Sequence, residues 1–417
     1  MTATTSPSKT RTYDYEALDA AGKRTKGKVE ATTDTAAAAA LRAQGIMPLK
    51  LNESGRGLQK EIKIPGLSDR VKIRDLAVLA RQFATMTSSG LSLLRSLAIL
   101  EEQTPNQKLA QALRDVRRDV ESGTSLSGAL AKQDRIFPRL MIAMIAAGET
   151  GGFLDQALDR IAVNFEKDAN LRGKIKSALT YPMLVVAFSI LMLVAVLVFI
   201  VPVFEHMFAN LGGKLPLPTR ILVMISHQIW WILPLAAGGL IVAASWFRKK
   251  LHDDPAWRLA FDKFKLRLPV FGTLFTKIAI SRFARNLGTL LHVGVPVMQA
   301  LDIVGATTGN AVVNEAMKDV SRLVRDGQTM SAPLERHPIF PAMVTNMMQV
   351  GEETGQMSAM LDKVSDFYDH EVEAATESLT AAIEPVMVVV MGAIIGVMVV
   401  CLYLPMFTIY QNVQGAT

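Results

Sequence analysis

The chain has 417 residues, of which 45 are lysine or arginine and 38 are aspartate or glutamate, giving a formal charge of +7. Half of the residues are hydrophobic, and three long stretches contain no charged residue, which excludes a disordered chain, a collagen-like repeat and a carrier embedded mostly in lipid. The composition indicates soluble domains joined to a few membrane spans, and the single cysteine, Cys401, excludes an intrachain disulfide and a multi-cysteine metal site.

Residues 1–53 are predicted to form a small α+β module. The segment YDYEALDAAGKRTKGKVEA is typical of two strands around a Gly-Lys turn, and IMPLKL is typical of a third strand. Between them, TDTAAAAALRAQG predicts a short helix with Thr33 or Asp34 as its cap and Gly45 as its stop. We interpret residues 54–70, rich in glycine, lysine and proline, as a linker. The N-terminal residues are polar and lack the apolar segment of a cleaved signal peptide, so we expect none.

Residues 71–176 and 279–383 are predicted to form two helical bundles. In each of them apolar residues recur at i, i+4, i+7 and i+11, which makes one apolar stripe on a helix. The stripes consist of Leu109, Leu113, Val116 and Val120, and of Val313, Met317, Val320 and Val324. We expect roughly six short helices in each bundle, with the last helix leading towards the membrane.

Three uncharged stretches are long enough to cross a bilayer, which takes about 20 residues of helix. We assign residues 177–204, 221–247 and 385–410 to these spans. In lipid a proline is tolerated when a neighbouring group satisfies the carbonyl that the proline leaves free. The prolines in question are Pro182, Pro202, Pro234 and Pro405, and Pro385 begins the third span.

The distribution of lysine and arginine predicts the orientation of the spans. Four basic residues lie within 15 residues before the first span and four within 15 residues after the second, whereas residues 205–220 hold only two. The positive-inside rule therefore places residues 205–220 outside and the basic connector 248–278 in the cytoplasm. We expect a multi-pass protein of the cytoplasmic (inner) membrane, with both bundles and the N-terminus inside and the C-terminus outside.

An internal duplication is the strongest organisational signal. At an offset of 204 residues Arg81 matches Arg285, and after the loss of one residue the offset becomes 203, so that Pro182 matches Pro385. Each copy is a soluble domain followed by an outgoing span, and residues 221–247 supply the returning span. The predicted fold is mainly α: an integral membrane protein with two duplicated cytoplasmic helical bundles, three transmembrane helices and the small N-terminal α+β module.

The sequence carries no motif of an enzyme active site. It lacks a phosphate-binding G-x-x-x-x-G-K-[ST] loop, a G-x-S-x-G elbow and an H-E-x-x-H helix, and its six histidines stand far apart. We therefore predict a non-enzyme without cofactor or metal. The basic run at residues 248–250 lies beside a span, where anionic lipid explains it better than nucleic acid does.

Two duplicated turns are the best candidates for a site: AAGETGGFLDQAL at 146–158 and QVGEETGQMSAML at 349–361. One interpretation is a joint between helices, in which glycine permits the turn and the glutamate accepts backbone N–H groups at the next helix start. The other is a loop that faces a partner. The candidate residues are Gly148, Glu149 and Gly152 in the first copy, and Gly351, Glu352, Glu353, Thr354 and Gly355 in the second.

Further candidates lie in and beside the spans. Gly392 and Gly396 have the spacing of a close helix–helix contact, because small residues let two backbones approach. Pro182 and Pro385 stand at equivalent positions of the two outgoing spans and are candidates for helix packing. Glu384 lies at the inner boundary, where we interpret it either as an interfacial carboxylate or as a paired intramembrane one.

Residues 11–410 resemble the type II secretion F family, in its type IV pilus branch, through the N-terminal segment, DLAVLARQFATMTSSGLSLLRSLAIL, both Gly-Glu turns and the YP and EP starts of the outer spans. The resemblance implies a membrane platform on which pilin or pseudopilin subunits are assembled into a filament. It also implies a hexameric cytoplasmic assembly ATPase and other inner-membrane components as partners, together with self-association. The family turn reads Gly-Glu-x-Ser/Thr-Gly, and Gly151 departs from it.

Other functions stay open on the residues alone. The platform of a type II secretion or competence system has the same architecture as a pilus platform. Duplicated spans are also typical of transporters, although three spans are too few to line a path unless the chain oligomerises. A membrane signalling scaffold is a further class.

Overall fold

The computed structural model describes residues 11–18, 24–31, 34–43, 47–53, 70–210, 217–269 and 271–414. The chain divides into two compact units, residues 1–70 and 71–417. In the first unit the elements are β1 (Arg11–Leu18), β2 (Arg24–Ala31), α1 (Asp34–Ala43) and β3 (Met47–Glu53). They form an antiparallel three-stranded sheet in the order β2-β1-β3. The predicted Gly-Lys turn, the cap at Thr33, the stop at Gly45 and residues 54–69 of the linker lie outside the described residues.

The second unit begins with the first helical repeat. Its helices are α2 (Ile73–Ser88), α3 (Leu93–Gln103), α4 (Gln107–Glu121), α5 (Leu126–Ala131), α6 (Arg139–Gly151) and α7 (Leu154–Ala195). A π-helical turn, Val196–Ile200, continues α7 into α8 (Val201–Asn210). The connecting helices are α9 (Leu217–Asp253) and α10 (Pro255–Arg267).

The second repeat has the same six-helix order. Its helices are α11 (Phe271–His292), α12 (Val297–Thr307), α13 (Ala311–Arg325), α14 (Ser331–Glu335), α15 (Ala342–Thr354) and α16 (Met357–Gln414). The predicted stripes are buried at Leu109, Leu113 and Val116 of α4, and at the equivalent positions of α13. Apolar side chains of both repeats join in one continuous core, so the two bundles pack as a single body.

The last helix of each repeat runs without a break from the bundle into the uncharged stretch. The boundaries expected at residues 177 and 385 therefore fall inside helices. The reason is local: the prolines near these boundaries are accommodated within the helix, and no polar loop separates the two parts. A helix at about 1.5 Å per residue makes α16, with its 58 residues, a rod about 87 Å long.

Two helices are long and apolar enough to cross a membrane, Leu154–Met207 and Met357–Leu404. A bent pair, Leu217–Trp231 and Leu233–Leu251, passes the same test when its two parts are taken together, and the parts meet at 64°. Pro234 lies next to this bend, as expected for a residue that removes one helical hydrogen bond. By length and composition the described residues thus contain two candidate spans, or three if the bent pair is one span.

The segments between the spans are more helical than the sequence suggests. The expected external loop 205–220 is helical up to Asn210 and again from Leu217, and the basic connector 248–278 contains α10 and the start of α11. Asp254 caps α10, because its carboxylate accepts the N–H groups of Ala256 at 2.9 Å and of Trp257 at 3.4 Å.

Candidate functional site

The first Gly-Glu turn is held by the carboxylate of Glu149, in the last turn of α6. Its Oε1 accepts the N–H of Leu126 at 2.5 Å, and its Oε2 accepts the N–H and the hydroxyl of Ser127 at 3.0 and 2.5 Å. The half-buried carboxylate therefore caps the first turn of α5, where the N–H groups have no helical acceptor.

The second turn repeats this arrangement. Glu352, near the end of α15, accepts the N–H of Met330 at 2.8 Å, and the N–H and hydroxyl of Ser331 at 3.4 and 3.1 Å. Both glutamates do accept backbone N–H groups at a helix start, as the structural interpretation predicted. The expectation of the next helix was wrong, because the capped helices α5 and α14 precede the turns.

The glycines of the turns have two separate roles. A Cβ on Gly148 would lie 2.7 Å from the Cβ of Ala157, and a Cβ on Gly351 would lie 2.9 Å from the Cα of Met357, so glycine allows the following long helix to approach. Gly152 and Gly355 end their helices with φ of 74° and 70°, a left-handed conformation that favours glycine.

The outward side of the turns differs between the copies. In the second copy Glu353 is exposed and accepts a hydrogen bond from Gln349 at 2.9 Å, and exposed Thr354 donates its hydroxyl to a backbone carbonyl of its own helix. In the first copy the departure at Gly151 has a steric cause: a Cβ there would overlap the ring of Phe153, at 1.9 Å from its Cε1. Of the three glutamates in these turns, Glu353 is exposed, whereas Glu149 and Glu352 are half-buried.

The candidate residues in and beside the spans differ in how far they are buried. Pro182 is buried, whereas Glu384 and Pro385 are exposed. No atom lies within 4 Å of the position that a Cβ would take on Gly392 or Gly396, so this pair makes no close contact within the described residues. The packed face of α16 is a different one, formed by Met398 and Leu402 with Ile394 beside them.

Two hydroxyl groups of α9, which were not predicted from the sequence, donate hydrogen bonds to carbonyls that lie close before prolines of the outer helices. Thr219 donates its hydroxyl to the carbonyl of Cys401, which lies four residues before Pro405. Ser226 donates its hydroxyl at 2.5 Å to the carbonyl of Leu197, five residues before Pro202 and inside the π-helical turn. A proline has no N–H to donate to a carbonyl of the preceding turn, and each hydroxyl supplies a donor there in apolar surroundings. No local pattern marks either hydroxyl, since Thr219 is followed by Arg220 and Ser226 is followed by His227.

Ion pairs join the long helices α7 and α16 above the candidate spans. Lys167 contacts Asp366 at 2.6 Å, and Lys174 contacts Glu373 at 2.6 Å. Both pairs are separated by 199 residues, which shows that the two helices run parallel and in one register.

A duplicated ion pair ties the first helix of each repeat to its last helix. Arg81 donates to both carboxylate oxygens of Glu166, at 2.7 and 2.8 Å, and Arg285 donates to Asp369 at the equivalent position. The bond from Arg81 lowers the pKa of the Glu166 carboxyl below its ordinary value. Arg81 is 38% exposed, whereas Arg285 is 4% exposed and lies on α11, against which α6 and α7 of the first repeat pack.

Two clefts accompany these contacts. One, of about 430 Å³, lies between the repeats near Arg81, Asp159 and His292. The other, of about 220 Å³, is an apolar groove between α7 and α16, lined by residues such as Ile190 and Val390. In the part of the chain that the structure describes, no group of three or more potential ligands is arranged to hold a metal ion.

Comparisons with known proteins match both repeats separately. The model of "Type II secretion system (T2SS), protein F" matches residues 79–202 and again 283–405. The model of the N-terminal domain of the same protein matches residues 8–52. The predicted duplication is thereby confirmed.

The relatives align with this chain almost end to end. "Type IV pilus assembly protein PilC" of Thermus thermophilus is 44% identical over 95% of this chain and 98% of that protein. The protein of the same name from Myxococcus xanthus is 38% identical over 99% of this chain and 98% of its own length. "Type II secretion system protein F" of Xanthomonas campestris is 30% identical over 95% and 98%. With two family matches in tandem and relatives of full length, the chain belongs to the type II secretion system protein F family.

Proposed function

We propose that the chain is the cytoplasmic-membrane platform of a type IV pilus assembly machine, which couples a cytoplasmic assembly ATPase to the insertion of pilin subunits into the filament base. The observation that carries this proposal is the full-length identity of 44% and 38% to two proteins named for type IV pilus assembly. The equivalent platform of a secretion or competence system is the second candidate, since a relative named for type II secretion is 30% identical.

The long helices suit a role in mechanical transmission. An uninterrupted helix is a stiff rod, so a displacement of the bundle end of α7 or α16 reaches the far end of the same helix. The pairs Lys167–Asp366 and Lys174–Glu373 hold the two rods in register, so the rods would move together. A motor that binds the bundles would thereby tilt or turn the spans, and the energy would come from the ATPase.

We place the two bundles and the N-terminal α+β module in the cytoplasm, with three spans, residues 205–220 outside and the C-terminus outside. The parallel course of α7 and α16 supports this arrangement, because two parallel outgoing helices need one returning span. The bent pair within α9 is that span in the proposal. The excess of lysine and arginine on the bundle side supports the same orientation.

Cysteine labelling tests the topology in a Cys401→Ser background. An impermeant thiol reagent should label Asn210→Cys and Gly415→Cys in cells with the outer barrier opened. It should leave Gln328→Cys, which lies at an exposed position of the second bundle, unlabelled until the inner membrane is permeabilised. Labelling of Gln328→Cys in cells with an intact inner membrane would overturn the topology.

The outward side of the second Gly-Glu turn is the proposed contact with a basic partner surface. Glu353 is exposed, whereas the carboxylate of Glu352 is occupied by N–H and hydroxyl groups of its own bundle. We therefore expect Glu353→Lys to lower filament yield at an unchanged level of membrane-inserted protein. The matched control is Thr150→Lys, because Thr150 is the exposed equivalent in the first copy.

Deletion of the gene tests the function itself. The strain should lose surface filaments while its pilin and ATPase are still made, and this chain supplied in trans should restore the filaments. Retained filaments together with loss of an exported protein would favour the secretion platform. Retention of filaments, secretion and DNA uptake would overturn the platform proposal.

A further inference from the structure

The two repeats contact each other through different faces. Helices α6 and α7 of the first repeat pack against α11 and α12 of the second. The converse contacts are not made to a comparable extent in this fully described part of the chain: α2 does not pack along α16, and α3 does not pack along α15. The internal interface is therefore heterologous, and each repeat leaves one half of it unused.

Named contacts define the interface. Asn164 donates to the hydroxyl of Thr289 at 3.3 Å, and Arg282 pairs with Asp168 at 3.2 Å. Asn164 and Thr289 are buried, and burial lowers the pKa of the Arg282 guanidinium from its ordinary value, an effect that the Asp168 carboxylate partly offsets.

The duplication maps each of these positions onto the other repeat. Thr289 and Arg282 of α11 correspond to Thr85 and Val78 of α2, at an offset of 204. Asn164 and Asp168 of α7 correspond to Phe367 and Glu371 of α16, at an offset of 203. Thr85, Val78 and Phe367 are exposed, although their counterparts are covered.

The exposed apolar side chains coincide with these unused faces. The bundles, residues 71–176 and 279–383, are described throughout, and four of their large apolar side chains are exposed. They are Val78 at 51%, Leu94 at 40%, Val350 at 44% and Phe367 at 44%. The first two lie on α2 and α3, and the last two lie on α15 and α16. Apolar groups gathered on such faces favour an interaction surface over chance exposure.

We propose that a second copy of this chain docks here, its α2–α3 face covering the α15–α16 face of the first copy, in the manner of the internal interface. The duplication indicates that the partner is a second copy of this chain. The surface of α11 and α12 binds α6 and α7 within one chain. Its counterpart, on α2 and α3, is unused, and so is the counterpart of the α6–α7 surface, on α15 and α16. The contact is head-to-tail, so each chain offers both a donor face and an acceptor face.

The orientation of the copies in the membrane limits the kind of assembly that such a contact can form. Because α7 and α16 run parallel, the rotation that relates the two repeats keeps the direction of the membrane normal. Repetition of that rotation keeps all copies in one bilayer, which produces a ring if the rotation closes. This step rests on the proposed spans but not on filament assembly.

Charges at the mapped positions make the proposal specific. Within one chain Arg282 pairs with Asp168. Since Val78 corresponds to Arg282 and Glu371 to Asp168, residue 78 of one chain should lie close to Glu371 of its neighbour. Glu371 already pairs with Lys277 at 2.7 Å, just as Asp168 also pairs with Arg172 at 2.8 Å. Val78→Arg should therefore strengthen self-association by recreating the internal ion pair, and Val78→Glu should weaken it.

Cross-linking of the full chain in membranes, in a Cys401→Ser background, is the first test. Thr85→Cys combined with Phe367→Cys should yield covalent dimers and higher species with a short thiol cross-linker. Each single variant should stay monomeric, because a head-to-tail contact places unlike residues together. Asn164→Cys with Thr289→Cys serves as the within-chain control for reactivity. Ser122→Cys with Asp326→Cys, at the residues that directly follow α4 and α13, serves as the matched surface control.

The outcomes separate the alternatives. A ladder of cross-linked species for Thr85→Cys/Phe367→Cys alone supports the proposal. Dimers from either single variant would indicate a symmetric contact and overturn it, as would monomers from the double variant when the within-chain control reacts. Sedimentation of the purified Val78→Arg and Val78→Glu proteins in detergent gives an independent measure. A shift of both variants in the same direction would also overturn the proposal.

Discussion

Thr219 donates its hydroxyl to the carbonyl of Cys401, the acceptor that Pro405 leaves without a backbone donor. Ser226 does the same for Leu197, which precedes Pro202. The two prolines occupy equivalent positions of the duplicated outer helices, and a single helix, α9, serves both. Helix α9 therefore completes the hydrogen bonding of the two helices that it separates along the chain.

Thr219→Val should destabilise the membrane part, because valine keeps the shape and removes the hydroxyl that donates to this carbonyl. We expect a loss of about 0.5–2 kcal/mol, the range for hydrogen bonds between membrane helices. Thermal unfolding in detergent measures it. Thr180→Val is the control, since that exposed hydroxyl bonds the carbonyl of its own helix, at Lys176, and an unchanged melting temperature is expected. Equal shifts for both variants would contradict the assignment.

The equivalent pairs Arg81–Glu166 and Arg285–Asp369 should differ in their effect on stability. Asp369→Asn leaves the buried Arg285 guanidinium without its counter-charge, and removal of one partner of a buried pair costs about 3–5 kcal/mol. Glu166→Gln breaks an exposed pair, which is worth about 0–1 kcal/mol. Denaturant unfolding of the two variants, side by side, checks the order. The reverse order would mean that the first repeat does not shield Arg285.

Glu352→Gln should lower stability rather than partner binding. The amide keeps one acceptor oxygen but turns an NH₂ group towards the N–H of Met330 or Ser331, so we expect a loss of about 1–3 kcal/mol. Glu149→Gln should behave alike, and Glu353→Gln should leave the melting temperature unchanged. For Glu352→Gln and Glu149→Gln, filament yield should fall only in proportion to the amount of membrane-inserted protein. Normal stability of Glu352→Gln with lost filaments would return this carboxylate to a partner-facing role.

The Arg81–Glu166 pair predicts a dependence of stability on pH. Since the pKa of Glu166 is lowered in the folded chain, its contribution is fully present above the ordinary carboxyl pKa. It is lost as the pH falls through the lowered value, where Glu166 becomes protonated. The difference in melting temperature between the parent chain and Glu166→Gln should therefore shrink below about pH 4. A difference that persists unchanged into acid would show that packing, not the charge, holds the pair.

Much of the architecture could be predicted because it depends on local hydrophobic periodicity and on the internal duplication. The stripe around Leu109 and Leu113 depends on residues within one helix, and the same pattern returns in the second repeat. The partner of Glu149 could not be predicted, because its carboxylate reaches back 23 residues to Leu126. The position of Gly392 and Gly396 also depends on tertiary packing: within the described residues they make no close contact, since they lie away from the face of α16 that packs.

The sequence by itself determined the family, the two repeats and the uncharged stretches, because each follows from residue types and their spacing along one chain. Only the tertiary structure decided how the repeats differ. Arg81 and Arg285 are the same residue at the same register, yet one is exposed and the other is buried. Burial is a property of what packs against a side chain, and two identical positions acquire different surroundings when one repeat covers the other and leaves its own equivalent face in solvent.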